Sequence, residues 1–316
     1  MKKEWFLYVA VGILATFGVA SCERDGVYQP AKKISKIYIQ EGNGDKQLYA
    51  EWKWKGNKLE QIAYPLNRDT AHFSYEKGKM SKISYTGVLP RYFSFQYDAN
   101  LLSKMNLYEE NTLLVSYQFF HDKKKINKVI VLEFAPNKSG LQHLGDLFSL
   151  LSLPDIAAES VEMAALEYGY KGSGGNGGGG GETTVKASYS FTFIWDEKKN
   201  NIVQTTTQPD LSLPSSSLTT TMKYMYDNKN NPFKGLQSEV TDEATMGHVY
   251  DVASGSKNNI IKAQLVVGKD ANAREHSIIK TDYVYNKKYP VMATSKQTFT
   301  DIPHFEKVTT RWYEYK

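Results

Sequence analysis

A chain of 316 residues with a formal charge of +5 and 41% hydrophobic residues is long enough for one large domain or two ordinary ones, and it needs no disulfide or structural metal to fold. The mild charge, with a single dense basic run at Lys123-Lys124-Lys125 where a turn is expected, excludes a nucleic-acid binder. One cysteine excludes a disulfide framework, and 22 tyrosines within an aromatic content of 13% suit strands better than helices.

Lys2 and Lys3 form a short basic head, and the apolar stretch from Trp5 to Val19 ends in small residues, which is the layout of a secretion signal over residues 1–21. The stretch is shorter than the roughly 20 residues that a comfortable membrane span requires. Val19, Ala20 and Ser21 before Cys22 resemble the lipobox of bacterial lipoproteins. That resemblance implies a diacylglycerol on the Cys22 thiol and cleavage before it, with residues 22–30 as a tether. It also accounts for a thiol that has no partner for a disulfide.

From residue 31 onward a repeat organises the chain. Trp52-Lys53-Trp54, Phe73-Ser74-Tyr75, Phe95-Gln96-Tyr97 and Tyr117-Gln118-Phe119 are aromatic-x-aromatic units whose second members recur at 21, 22 and 22 residues. In the first three, Leu59 and Ile62, Met80 and Ile83, and Leu102 and Met105 stand five and eight places further on. Turn-formers lie between, at Gly56-Asn57, Lys77-Gly78 and Asp98-Ala99-Asn100. Each period has the length of a β-hairpin with its connection. Looser echoes at Phe193-Ile194-Trp195, Tyr224-Met225-Tyr226 and Tyr283-Val284-Tyr285 extend the meander to the end of the chain. The alternation with Lys53, Ser74, Gln96 and Gln118 gives each strand one apolar and one wet face.

Two segments interrupt this rhythm. Leu141, Leu144, Phe148 and Leu151 fall at helical spacing, and a second helix-like run covers Ile156 to Tyr168, so a short helical insertion is expected near 141–168. The glycine-rich stretch 171–182 reads as a flexible, disordered loop. It lacks the Lys-Ser/Thr that a phosphate-binding loop would require. The fold expected is mainly β: a repetitive antiparallel meander over residues 31–316, forming one strongly curved or barrel-like domain.

The units Tyr75-Glu76-Lys77-Gly78-Lys79-Met80 and Tyr97-Asp98-Ala99-Asn100-Leu101-Leu102, with the lipobox and the tyrosine-rich ending Trp312-Tyr313-Glu314-Tyr315, resemble a Bacteroidetes lipoprotein family of unknown function that has a porin-like β domain. They are more weakly similar to tyrosine-aspartate repeat proteins of bacterial shells, whose fuller glycine pattern is missing. The first resemblance implies a curved antiparallel sheet approaching a barrel and an address at the outer membrane, on its cell-surface or periplasmic face. It implies no catalytic residue.

No reactive constellation stands out. His72, His121, His143, His248, His276 and His304 are scattered, without HExxH or His-x-His spacing, so no metal site is expected. Asp227-Asn228-Lys229-Asn230-Asn231 has Lys229 where a calcium loop needs a ligand and Ser238 where it needs glutamate; a hairpin turn is expected instead. No G-x-S-x-G elbow occurs, the stretch Ser212 to Ser217 reads as a loop, and no pair among 34 acidic residues can be singled out. No catalytic residue and no cofactor is assigned, and the chain is read as no enzyme. Trp52 with Trp54, and Tyr224 with Tyr226, could form aromatic platforms for a ligand, but their even recurrence favours sheet core. The ligand-binding residues stay unknown, and Cys22, as the lipidation site, is the one residue assigned a role.

The leading expectation is a membrane-anchored binding or interaction module for a glycan, lipid or protein ligand outside the cell or in the periplasm. The alternative is a structural component of the envelope or surface coat. An enzyme or a membrane-spanning barrel ranks lower, the latter because its strands need about 9 to 11 residues and an apolar outer band, and the strands here read as shorter.

Overall fold

The computed structural model describes residues 25–87, 90–134, 185–209, 217–236, 256–268, 272–300, 302 and 304–316. The signal segment, Cys22, the expected helical insertion and the glycine-rich stretch lie outside the described residues.

The described residues form sixteen strands in a single closed barrel. In chain order these are β1 (Ile34–Glu41), β2 (Gln47–Lys55), β3 (Lys58–Tyr64), β4 (Asp69–Glu76), β5 (Lys79–Tyr85), β6 (Arg91–Asp98), β7 (Leu101–Glu109) and β8 (Thr112–Asp122). They continue with β9 (Lys125–Phe134), β10 (Val185–Trp195), β11 (Asn201–Pro209), β12 (Ser217–Tyr226), β13 (Ile260–Val267), β14 (Arg274–Asn286), β15 (Tyr289–Phe299) and β16 (Glu306–Tyr315). Every strand pairs antiparallel with its sequence neighbours, and β1 pairs with β16 to close the ring, with Ile37 opposite Tyr313. The meander read from the repeat is therefore the fold. A 3-10 turn at Pro65–Asn67 is the one helical element among the described residues.

Two-residue hairpin turns of the kind that match strand twist require positive φ at both central residues. Lys77 (φ 50°) and Gly78 (φ 82°) adopt them, as do Ala99 (φ 44°) with Asn100 (φ 84°) and Lys123 (φ 46°) with Lys124 (φ 65°). The basic run is thus a turn, as expected. The segment from Asp227 is not a hairpin turn. Asp227 Oδ1 accepts from the Lys229 amide at 2.9 Å, making a side-chain bend that opens the long connection from β12 to β13.

The repeat has a mechanical meaning. The second aromatic of a unit sits at a β-bulge, between Lys53 and Trp54, Ser74 and Tyr75, or Gln96 and Tyr97. It donates a hydrogen bond to a carbonyl on the strand before it. Trp54 Nε1 reaches Ile34 O at 2.7 Å, Tyr75 OH reaches Leu59 O at 2.9 Å, and Tyr97 OH reaches Met80 O at 2.7 Å. The same latch recurs from Trp195 to Ile126 O, from Tyr226 to Asn201 O and from Tyr315 to Pro290 O. Each extra residue at a bulge strengthens the local twist, and the latch fixes that twist where the sheet must curve to close. The fourth unit is displaced by two residues from its sequence reading: its bulge lies between Phe120 and His121. Counted from His121, the places five and eight further on are Ile126 and Val129, both buried, as the rule of the first three units requires.

Candidate functional site

The two faces of the sheet decide what the barrel can do. On β2 to β9 the inward positions are Trp52, Leu59, Ile62, Phe73, Met80, Ile83, Phe93, Leu102, Met105, Tyr117 and Val129, all buried. Outward positions alternate with them and are wet: Lys53, Ser74 and Gln96, with surface ion pairs Lys36–Glu51 (3.6 Å) and Lys53–Glu60 (3.6 Å). The strands run from 7 to 13 residues, so length alone does not exclude a span. The wet outer face opposes one, because a lysine on a lipid-facing wall costs about 2–4 kcal/mol at mid-membrane. No helix among the described residues is long and apolar enough to cross a membrane.

One end of the barrel is sealed, and we call it the floor. The chain enters there. Asp25 accepts from the Leu102 amide (2.8 Å) and meets His121 Nε2 (3.2 Å), while Gly26 O accepts from the Met80 amide (2.9 Å). Gly26 has φ 78°, and a Cβ on it would collide with the Tyr97 ring, so glycine is required where the strap crosses. Tyr28 is buried against Trp52 and Trp54, and its hydroxyl donates to Pro232 O at 2.8 Å. Phe233 packs on Trp52 and Tyr313 from the other side. Trp52 and Trp54 stack at 6.2 Å. These indoles are therefore core and latch rather than an exposed platform, and Tyr224 is likewise buried.

Beside them lies an amide network that the sequence reading missed. Asn200 and Asn258 exchange hydrogen bonds, Asn258 Nδ2 donates to Lys229 O (2.7 Å), and Asn231 Nδ2 donates to Ser256 O (3.0 Å). Asp227 accepts from the Asn259 amide and side chain and from Tyr285 OH. With both its oxygens so engaged, Asp227 is a structural acceptor and not a calcium ligand. Among the described residues no group of three His, Cys, Asp or Glu could hold a metal. The described histidines lie on separate elements: His72 on β4, His121 on β8, His276 edge-on to Phe299 on β14, and His304 after β15. His143, His248 and Ser212 to Ser216 fall outside the described residues.

The opposite end is the mouth, where the inner face changes character. Glu41, Thr309, Ser295 and Thr281 lie in register across β1, β16, β15 and β14. Thr281 and Ser295 share a buried hydroxyl pair at 3.0 Å. Gln204, Ser277 and Arg311 are also buried inward. Lys307 Nζ is buried with no hydrogen-bond acceptor, and the Glu41 carboxylate stands 3.7 Å away. Across the mouth, Arg91 pairs with Asp69 at 3.1 Å and lies over the Tyr85 ring. At the floor, the Trp52 indole N–H is another buried inward donor that meets no acceptor. The inward positions of β14 to β16 could have been found from the run Ser277, Ile279, Thr281 only by knowing which face turns inside.

No family model matches the chain, and no curated protein matches it. Among solved structures it is similar to a porin-like protein from Bacteroides vulgatus ATCC 8482, at 8% identity and a TM-score of 0.49, over 90% of this chain and 99% of that one. It is also similar to a porin-like protein from Bacteroides uniformis ATCC 8492, at 8% identity and a TM-score of 0.47, over 92% of this chain and all of that one.

Proposed function

We propose that the chain is a lipid-anchored binding module of the bacterial envelope, held through Cys22, which takes an amphipathic ligand at the mouth of the barrel. The supporting observation is the polarity of the walls. A sixteen-strand barrel is wide enough to hold a water channel, yet here the inside carries the apolar side chains and the outside the charges, the reverse of a membrane-spanning pore. The apolar wall from β2 to β9 is closed core, its side chains buried against one another, so the ligand is held at the mouth. A head rich in acceptor oxygens suits the mouth, where the Lys307 ammonium faces the Glu41 carboxylate at 3.7 Å and has no hydrogen-bond acceptor.

The test uses residues 22–316 carrying Cys22→Ser, titrated with fatty acids and lysophospholipids while tryptophan emission is followed. Saturable binding that weakens about tenfold or more in Lys307→Met is the expected result. If every such ligand leaves the emission unchanged and native mass spectrometry shows no adduct, the envelope-scaffold reading replaces this one. Anchoring is checked separately: Cys22→Ala should move the protein from the membrane fraction to the soluble fraction, and retention would exclude the lipid.

A further inference from the structure

The floor and the mouth differ in charge as well as in shape. The hairpins that tip the floor carry exposed Lys77, Lys123, Lys124, Lys198, Lys287 and Lys288. Surface carboxylates at this end, such as Glu76, Asp122 and Glu197, are fewer. The mouth tips carry Asp45, Glu109 and Glu110 against Lys46 and Arg68.

The lysines of the floor also sit over its latch rings. Lys58 lies over Tyr75 (5.4 Å), Lys79 over Tyr97 (4.8 Å), Lys125 over Trp195 (4.8 Å) and Lys32 over Tyr289 and Tyr315 (5.5 Å each). Ammonium groups interleaved with Tyr and Trp are the side-chain mixture that suits the headgroup layer of a bilayer. One step up the outer wall, four successive descending strands present an exposed apolar residue at the same place in the unit. These are Phe120 (45% exposed) on β8, Ile194 (57%) on β10, Met225 (56%) on β12 and Val284 (48%) on β14. The other descending strands place Lys53, Ser74, Gln96 and Glu314 there. One side of the floor rim is therefore greasy and basic, and it borders β7 and β8, where Asp25 is pinned.

We infer that this rim is a docking surface for an anionic lipid bilayer, and that the barrel lies floor-down on the membrane with its mouth turned away. The orientation rests on the Cys22 anchoring reading: Asp25 is three residue steps from Cys22, a reach of about 10 Å, so a lipid on that cysteine draws the floor into the headgroups. Each lysine near an anionic surface adds an attraction that salt screens, and the apolar edge adds burial.

The surface itself is tested without the lipid. The described barrel and floor lie entirely within residues 25–316, so residues 22–316 with Cys22→Ser fold without the signal segment and can be sedimented with phosphatidylcholine vesicles with and without phosphatidylglycerol. Binding is expected only with phosphatidylglycerol and should fall as salt rises. Lys123→Glu, Lys124→Glu, Lys287→Glu and Lys288→Glu together should lower it by about tenfold or more. Reversal of Lys280 and Lys296 on the wall should leave it unchanged. Should the quadruple variant misfold by circular dichroism, Lys→Gln at one hairpin and the salt titration of the unaltered protein carry the same test, as does a loss with Ile194→Ser and Met225→Ser. Absence of vesicle binding, equal binding to neutral vesicles, or an equal loss from the wall pair would overturn the inference. So would retention on a soluble polyanion without vesicle binding, or a dimer through this surface. Because this protein carries no lipid, failure of the Cys22 reading in membrane fractionation would leave these results unaffected.

Discussion

The inner face of β2 to β9 and the inner face of β14 to β16 belong to one closed sheet, yet they are built from different chemistry. On the first, tryptophan, phenylalanine, leucine, isoleucine and methionine succeed one another inward, and the repeat is at its most regular. On the second, Ser277, Thr281, Ser295, Thr309 and Arg311 interleave with smaller apolar residues, and the repeat loosens. Apolar burial supplies the larger share of folding free energy, so a wall that serves as core must keep its pattern. A wall lined with paired hydroxyls is free to vary, provided that each polar group finds a partner. The regular wall therefore carries the stability, and the irregular wall carries the specificity.

The largest difference should come from truncating the regular wall. Trp52→Ala removes a fully buried ring that stacks on Trp54 and packs at a tilt against Tyr28 and Phe233 and should cost about 3–5 kcal/mol by urea denaturation. A cost below that of a surface substitution would erase the contrast between the walls. On the other wall, Ser295→Ala should cost about 1 kcal/mol by leaving the Thr281 hydroxyl alone, whereas Thr281→Val with Ser295→Ala should restore most of it. Two additive losses would mean that the pair is not the unit described.

Of similar size is the latch. Tyr75→Phe gives up the hydrogen bond to Leu59 O, worth about 0.5–1.5 kcal/mol. The latch also sets an alkaline limit. Burial pushes the Tyr75 hydroxyl up to about 12 from its ordinary 10. Burial likewise raises Tyr97, with the Asp25 carboxylate adding to it, and Tyr315, with Tyr313 adding to it. The neutral phenol is thus favoured by folding, so this contribution is complete below the unfolded value and is lost as pH rises from 10 toward 12 and above. Unfolding and the tyrosinate absorbance should rise together in that window. Phenolate forming well before the fold is lost would show that the latches are open. The smallest effect expected is a gain. Lys123 and Lys124 hold positive φ without glycine, so Asn-Gly in their place should raise stability by about 0.5–1 kcal/mol, read as a higher midpoint with an unchanged slope.

The strands of the regular wall were legible because each pairs Leu59 with Ile62, or Met80 with Ile83, at a fixed distance from its aromatic. The displacement of the fourth unit was not, since histidine holds the latch position through Asp25, nearly a hundred residues upstream. Closure of the ring also left no local mark: nothing in Ile34 to Glu41 says that it will pair with Glu306 to Tyr315. The mouth was illegible for a further reason. Serine and threonine alternating with alanine or isoleucine read equally well with either face outward, and only the closed ring decides between them. The aromatic units were recognised as scaffold, but their hydrogen-bonding ends were not, because a donor aimed at a carbonyl of the preceding strand has no signature in spacing alone.

The seam between β1 and β16 joins the first described strand to the last. Until Glu306–Tyr315 is in place, every intermediate is an open ribbon with one unpaired edge at β1 and another at its growing front, and such edges accept any strand on offer. Ring closure is thus the contact of longest sequence separation among the described strands, and it carries the largest loop-closure cost. It is also the point at which a second copy, contributing its own final strand, competes with the proper one for Ile34–Glu41.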